Sequence, residues 1–388
     1  MQRIAILGAT GSVGQSTLDV LVANPGRFSV DALAGGTDPV KLAKAVKATG
    51  ARVAAIADPA QYATLKELLS GCDVIVAAGD QAVVEAAEQG SDLVVAAIAG
   101  VAGLRSTYAA VRQGRRVAIA NKESLVCAGN VVMSAARSAG ATILPMDSEH
   151  NTLFQAIGTA PLESIEQLII TASGGPFRTW SAERIAQATL PEALAHPNWS
   201  MGAKITIDSA SLMNKGLELI EAQHLFGIAP EKLSVLVHPQ SLVHGLVRFR
   251  DGAMVAGLYT HDMRVPISHC LGYPERIPSG AASLDLAMIG SLTFEQPDME
   301  RFPALKLAIE AMAAGGSAPA ILNAANEVAV AAFIAGKIPF SHIAAVVSDT
   351  LGSSGREISS APPKDIDEAL AVDHISRKIA ETHLHNRV

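Results

Sequence analysis

Through the first 150 residues, short apolar runs alternate with segments whose apolar residues recur every three or four positions. The runs at 3–7, 29–34, 53–57, 74–77, 93–98, 116–120 and 141–145 read as strands, being nearly continuous in apolar residues and bounded by polar or glycine-rich turns. Between them, 14–23, 40–47, 61–69 and 104–113 carry helical periodicity. Apolar strands separated by helices predict a parallel sheet covered on both faces.

From about residue 151 the texture changes. Strand patterns at 167–172, 234–238, 242–250 and 253–259 lie among helices and Pro/Gly turns, and Asp251-Gly252 marks a tight hairpin between the last two. The later part of 173–202 has little periodicity, which predicts a mobile loop near 196–202. Residues 277–303 are proline-rich and read as a linker. Beyond them, 304–314, 318–335, 340–351 and 365–382 are helical, and 352–363 is an ordinary Ser/Pro/Gly-rich loop. The expected class is α/β: a Rossmann-like parallel-sheet domain over 1–150, an α+β domain over 151–276, and a C-terminal helical domain over 304–388.

Composition narrows the function classes. The 388 residues are 49% hydrophobic and 17% charged, enough for a large core and too apolar for disorder. Aromatics are only 4%, so alanine and valine supply tightly packed helices on a sheet. A net charge of −7 argues against a nucleic-acid surface, which needs a basic face. Cys72, Cys127 and Cys270 are scattered without CxxC spacing, which suggests reduced thiols. No basic-then-apolar leader opens the chain, and the longest apolar stretch, 93–104, is broken by Gly100 and Gly103 and is too short to span a bilayer. A cytoplasmic protein without a membrane partner is expected.

Candidate chemistry begins with Gly8, Gly11 and Gly14, placed after a strand and before a helix. Glycines there permit a tight turn and close approach of a pyrophosphate to the helix N-terminus, although a purely structural βα turn has the same spacing. No acid sits at the tip of the second strand, which favours NADP over NAD, but Asp38 lies close by and would sit poorly beside a 2′-phosphate.

Asp147-Ser148-Glu149 follows an apolar run. Carboxylates two apart on extended chain face the same side and repel, unless a cation or a shared proton intervenes. Oxygen ligands of this kind suit Mg²⁺ or Mn²⁺; a solvated acidic strand end is the other reading. Lys122, in Asn121-Lys122-Glu123, lies at the carboxyl edge of the sheet, where ligands of open α/β sheets bind and where solvated lysines are also common. In Ser209-Ala-Ser-Leu-Met-Asn214-Lys215-Gly-Leu-Glu218, a helix from about residue 212 would put Asn214, Lys215 and Glu218 on one face near its N-terminus. Hydroxyl, amide, ammonium and helix N-terminus together make an anion site, most simply for phosphate. Ser173-Gly-Gly-Pro and His196-Pro-Asn-Trp199 are not diagnostic alone, and His238 and His244 read as polar residues on a strand.

In combination, the blocks GATGSVG, ANKESLV, MDSEHN, SGGPFR, HPNWSMG, DSASLMNKGLE, HPQSLVH and LNAANEVAVAAF resemble the 1-deoxy-D-xylulose 5-phosphate reductoisomerase family, in order from Ile4 to about Phe340. The resemblance implies an oxidoreductase and isomerase of the non-mevalonate isoprenoid pathway that uses NADPH and a divalent metal (Mn²⁺, Mg²⁺ or Co²⁺) and works as a homodimer through its second domain. By the same resemblance Asp147, Glu149 and Glu218 are the metal ligands. Ser148, Ser173, His196, Ser209, Asn214 and Lys215 hold the sugar phosphate with Glu149 and Glu218, and Lys122 lies near its reacting end. Thr10, Gly11, Ser12, Val13, Gly36, Asn121, Glu123 and Gly202 contact the cofactor, and Trp199 sits on a loop that closes over the site.

The chain departs from the family's usual residues at Thr37-Asp38, at Leu258-Tyr-Thr-His before Asp262-Met-Arg, at Leu212 and at Gly245. A semialdehyde-type dehydrogenase would share the glycines but needs a nucleophilic cysteine, and no cysteine here has an evident base partner in the sequence. A nucleotide-sensing regulator would not need Asp147, Glu149 and Glu218 together.

Overall fold

The computed structural model describes residues 1–199, 201–356, 358 and 360–387. Ser200, in the expected 196–202 loop, and Glu357 and Ser359, in the 352–363 loop, lie outside the described residues, as does Val388.

The chain divides into two units, each discontinuous in sequence. Unit 1 comprises 1–124, 132–151 and 262–282, and unit 2 comprises 125–131, 152–261 and 283–388. Seven strands form a parallel sheet in unit 1: β1 (Gln2–Leu7), β2 (Phe28–Gly35), β3 (Val53–Ile56), β4 (Ile75–Ala78), β5 (Leu93–Ala96), β6 (Arg116–Ile119) and β7 (Thr142–Pro145), in the order β4-β3-β2-β1-β5-β6-β7. Central strands such as Leu93–Ala96 are buried along their whole length, which is why the sequence shows unbroken apolar runs there.

The crossovers are α1 (Ser12–Ala23), α2 (Pro39–Thr49), α3 (Tyr62–Leu68), α4 (Asp80–Glu88), α5 (Leu104–Arg112) and α6 (Lys122–Ala139), and α7 (Ser148–Ile157) follows β7. Residues 125–131 of α6 belong to unit 2, and the helix is interrupted at Ala128, whose φ is −142°.

Unit 2 holds a four-stranded sheet in the order β11-β10-β8-β9, from β8 (Ile165–Ala172), β9 (Leu233–Val237), β10 (Val243–Phe249) and β11 (Met254–Leu258). β10 runs antiparallel to both β8 and β11, and Gly252 at φ +87° turns the hairpin the Asp-Gly pair predicted. The short helices α8 (Ala182–Ala186) and α9 (Leu190–Leu194) lie within 173–202, followed by α10 (Ala203–Ala210) and α11 (Met213–Phe226). α12 (Arg264–Gly272) belongs to unit 1; α13 (Leu286–Ile289), α14 (Pro303–Ala314), α15 (Ala318–Ile334), α16 (His342–Ser353) and α17 (Ile366–His385) belong to unit 2.

One hydrophobic cluster in unit 2 joins the sheet to the helices. It includes Leu168 and Ile170 of β8, Met213 and Leu217 of α11, Leu305 of α14, Phe333 of α15 and Val346 of α16. Small residues let these helices approach closely: a Cβ on Gly216 of α11 would fall 2.2 Å from the Cβ of Ala308 on α14. That contact sets the position of α11, which carries Asn214, Lys215 and Glu218.

Candidate active site

In unit 1 the strand order reverses between β1 and β5, so the loops leaving their carboxyl ends make the crevice of a doubly wound sheet. Gly8 has φ +88°, and a Cβ there would meet the Ala97 carbonyl oxygen at 2.4 Å; on Gly14 it would meet the Gly8 oxygen at 2.3 Å. Both positions need glycine for the turn itself. Gly11, just before α1, has φ −80°, and a Cβ there would find nothing nearer than 3.4 Å. Protein packing does not demand glycine at that position, which leaves the space over the helix end to a ligand. No side chain caps α1 and no acid lies in its first turn, so its N–H groups suit an anion. Thr10 packs beside Gly35, and a Cβ on Gly36 would meet open space.

Asp38 has a structural task. Its carboxylate caps α2, accepting from the Lys41 N–H at 2.9 Å, with the Lys41 ammonium 3.5 Å away. The Lys41 N–H holds its carboxyl below the usual carboxylate range. The acid that sequence reasoning set against a 2′-phosphate therefore arrives with a cation beside it.

Asn121 caps α6 by accepting from the Ser124 N–H at 2.9 Å, while its amide donates to the Ile98 carbonyl (2.6 Å), the Gly100 carbonyl (2.9 Å) and the Glu123 carboxylate (3.0 Å). This fixes the end of β6 against the loop after β5. Lys122, the first residue of α6, is 7% exposed, and its ammonium is paired with the Asp147 carboxylate.

The expectation that Asp147 and Glu149 share a face by strand alternation is corrected here. β7 stops at Pro145 and α7 begins at Ser148, with the Asn151 N–H donating to the Asp147 carbonyl at 2.8 Å. Asp147 therefore flanks a helix and Glu149 lies in its first turn, where the positive end of the helix dipole favours carboxylates. Ser148 is buried and donates to Glu149 Oε2 at 2.5 Å.

In unit 2, Ser173 follows β8 and opens a turn in which Gly174 and Gly175 both have positive φ. A Cβ on Gly175 would fall 2.8 Å from the Ser209 carbonyl, so the turn is pressed against α10. His196 Nδ1 accepts from the backbone N–H groups of Asn198 (3.1 Å) and Trp199 (2.9 Å). Its proton therefore sits on Nε2, 3.0 Å from Ser173 Oγ, to which it donates. Burial, with the charges of Lys215 and His261, pushes the His196 pKa down to about 4. Ser173 Oγ also accepts from the Gly175 N–H at 3.0 Å, and neither bond consumes its own hydroxyl proton.

α10 carries Ser209 and is pinned by Asp208, which is 1% exposed, accepts from Asn326 Nδ2 of α15 at 2.8 Å and lies 2.9 Å from the Lys204 ammonium. Gly202 immediately precedes α10. Leu212, at φ +62°, turns the chain into α11. As the spacing predicts, Asn214 Nδ2 donates to Glu218 Oε1 at 2.5 Å and Lys215 Nζ to Glu218 Oε2 at 2.7 Å. All three are buried, and Asn214 Oδ1 has no hydrogen-bond partner among the described residues. A buried acceptor left open in this way suits a donor on a bound molecule.

Unit 1 thus joins Lys122 to Asp147, Ser148 to Glu149 and Asn121 to Glu123. Unit 2 joins Ser173 to His196, and Asn214 and Lys215 to Glu218. An uncharged imidazole, two hydroxyls and an ammonium at the start of a helix can take a phosphate and a polyol. Sequence reasoning passed over buried His150, three residues after Asp147, and buried Glu221, three after Glu218; i,i+3 spacing was the available signal. It also dismissed His244, which is 2% exposed and stacked on Tyr259. Cys270 is fully buried, and burial pushes its thiol far above the usual range, which leaves it no nucleophilic role.

Comparison with known proteins agrees in kind. Residues 4–129 match the family described as 1-deoxy-D-xylulose 5-phosphate reductoisomerase, residues 143–226 its C-terminal domain, and residues 258–379 the DXP reductoisomerase C-terminal domain. A 1-deoxy-D-xylulose 5-phosphate reductoisomerase of Rhodopseudomonas palustris (strain HaA2) is 56% identical over 384 residues, covering 99% of this chain and 94% of the relative. The solved reductoisomerase of Zymomonas mobilis in complex with NADPH is 48% identical, with a TM-score of 0.93 over 99% of each chain. A DOX-P reductoisomerase solved with NADPH, fosmidomycin and magnesium is 43% identical, with a TM-score of 0.94 over 99% of this chain and 98% of that one.

Proposed function

Because the chain belongs to the 1-deoxy-D-xylulose 5-phosphate reductoisomerase family, we propose that its buried polar clusters serve that reaction. The activity is the NADPH- and divalent-metal-dependent conversion of 1-deoxy-D-xylulose 5-phosphate to 2-C-methyl-D-erythritol 4-phosphate. The observation that carries the residue-level reading is the convergence of Asn214 and Lys215 on buried Glu218 at the start of α11.

The residues present fit both cofactors. Asp147, Glu149 and Glu218 offer only hard oxygen donors, which suit Mg²⁺, Mn²⁺ or Co²⁺, and each already receives a hydrogen bond or a cation. These three would hold the metal, which when bound polarises the sugar's carbonyl and hydroxyls as NADPH supplies hydride. The uncapped start of α1 and the open side of Gly11 fit a pyrophosphate. Thr10, Gly11, Ser12, Val13, Gly36, Asn121, Glu123 and Gly202 would contact the cofactor.

For the substrate, Lys215 and the N-terminus of α11 would attract the phosphate, and Ser173, Ser209 and Asn214 would orient it. His196, kept uncharged, donates from Nε2 without adding a second cation. Lys122 at the head of α6 and Ser148 would meet the reacting end, where an ammonium can hold or move a proton on a developing alkoxide. Binding the distant phosphate supplies positioning energy for that end.

A homodimer is part of the proposal. β11 is an edge strand with Met254 and Val255 exposed, and Leu286, Met288 and Phe294 of the same unit are exposed as well. Unpaired apolar edges of this kind favour pairing with a second copy. None of the described helices is long and apolar enough to cross a membrane, and a cytoplasmic location is proposed.

The test is consumption of NADPH on adding 1-deoxy-D-xylulose 5-phosphate, with and without Mg²⁺ or Mn²⁺, run in parallel with NADH. Turnover is expected only with metal and to favour NADPH. Equal rates after chelation of all divalent metal would overturn the proposed metal shell.

A further inference from the structure

We propose that Tyr259 and His261 are positioning residues for the reaction: they seat the Trp199 ring and, through the backbone at 198–199, fix the orientation of His196. The proposal rests on the reading of His196 as a substrate-holding residue.

The chain of contacts lies within unit 2. The Trp199 ring meets His261 edge to face, with centroids 5.6 Å apart and planes at 77°, and His244 at 6.2 Å and 67°. His244 is itself stacked on Tyr259, at 3.9 Å and 17°. Each imidazole is locked by a backbone carbonyl: His261 Nε2 donates to the Gln240 oxygen at 2.8 Å, and His244 Nε2 to the Tyr259 oxygen at 3.1 Å. The Trp199 indole therefore rests on rings that cannot turn freely. Edge-to-face geometry of this kind adds attraction beyond burial alone.

Trp199 is coupled to the substrate-holding histidine by its own backbone. The N–H groups of Asn198 and Trp199 are the two donors to His196 Nδ1, so the path of the chain there decides which nitrogen carries the proton and where Nε2 points. The Asn198 side chain ties the same stretch down, donating to the Pro239 carbonyl at 2.8 Å and to Ser241 Oγ at 2.9 Å. Ser241 holds φ +49°, a conformation a non-glycine residue keeps only where its surroundings fix it. Asn198 fastens one end and the Trp199 seat the other. Without the seat, the Trp199 N–H can leave His196 Nδ1, and the Nε2 donor to Ser173 loses its fixed direction.

The chain has two tryptophans, so a Trp180→Phe background leaves Trp199 as the sole indole reporter. In that background Tyr259→Ala and His261→Ala should shift the ligand-free Trp199 emission to longer wavelength. Each should raise KM for the sugar phosphate roughly fivefold, the worth of one aromatic contact. kcat should stay within about twofold, because bound substrate re-forms the seated arrangement. His261→Phe, which restores a ring without the imidazole, should recover most of the emission and of KM. The proposal is overturned if the alanine variants keep the parent emission and KM. It is equally overturned if their KM rises only in step with a lowered urea midpoint that His261→Phe does not restore. The emission readout needs no turnover, so failure of the wider functional reading would show separately, as an inactive parent with an intact Trp199 response.

Discussion

Glu218→Gln keeps the shape of the buried carboxylate and removes its charge. In the fold, Oε1 takes the Asn214 amide at 2.5 Å and Oε2 the Lys215 ammonium at 2.7 Å, with Glu218 only 2% exposed. Glutamine brings one acceptor and one NH₂ group, so only one of the two incoming donors can be met; the other faces a like donor. Breaking one partner of a buried ion pair costs about 3–5 kcal/mol, and an unmet buried donor about 1–3 kcal/mol. Lys215 keeps other interactions, so we expect the lower range, a loss of about 2–3 kcal/mol of folding free energy. The assay has two arms. Urea unfolding with and without Mg²⁺ should show the parent stabilised by the metal and the variant lower and unresponsive, because a ligand stabilises only the state that binds it. Turnover should be lost across all Mg²⁺ concentrations while NADPH still binds. A variant that remains Mg²⁺-stabilised and turns over at a rate near the parent's removes Glu218 from the metal shell and refutes the reasoning.

Three further outcomes are expected. His196 has a folded pKa of about 4 against an ordinary 6.5, so the folded state binds fewer protons between those values. Its contribution to stability is complete above about pH 6.5 and is lost as pH falls towards about 4. A His196→Gln variant should flatten that part of the stability–pH curve, and an unchanged curve would contradict the assignment. Gly8→Ala, forced to 2.4 Å from the Ala97 carbonyl at φ +88°, should lose about 1–3 kcal/mol or more of stability. Gly11→Ala should unfold like the parent and bind NADPH more weakly by fluorescence titration; equal effects of the two on folding would remove the distinction drawn between turn and ligand space.

The sheet of unit 1 was readable because its central strands are buried on both faces and its more exposed edge strands, β4 and β7, keep apolar runs as well; all seven predicted runs are strands. Asn214, Lys215 and Glu218 were readable because helical spacing alone brings them together. The step at Asp147 was not. Ser148 and Glu149 look like a polar strand end, and it is the backbone bond from the Asn151 N–H to the Asp147 carbonyl that shows a helix has begun. The short helices in 173–202 left a signal that periodicity cannot carry, the capping box between Thr189 and Glu192. The ring seat of Trp199 was illegible for a different reason: its members lie 45 to 62 positions along the chain from the tryptophan, and no local pattern reports such a distance.

Residues 262–282 return to unit 1 after a long absence. They are fastened there by Asn24 donating to the Pro278 carbonyl, Arg27 to Glu275 and Arg116 to the Tyr273 carbonyl. A chain growing from its N-terminus therefore makes all seven strands by residue 145 but lacks the segment that covers α1 until residue 282 exists. Closing so long a loop costs entropy that the early strands cannot recover on their own. Neither a fragment ending at 124 nor one ending at 151 is the whole of unit 1, and a gene cut at either point would yield a sheet with its α1 flank uncovered.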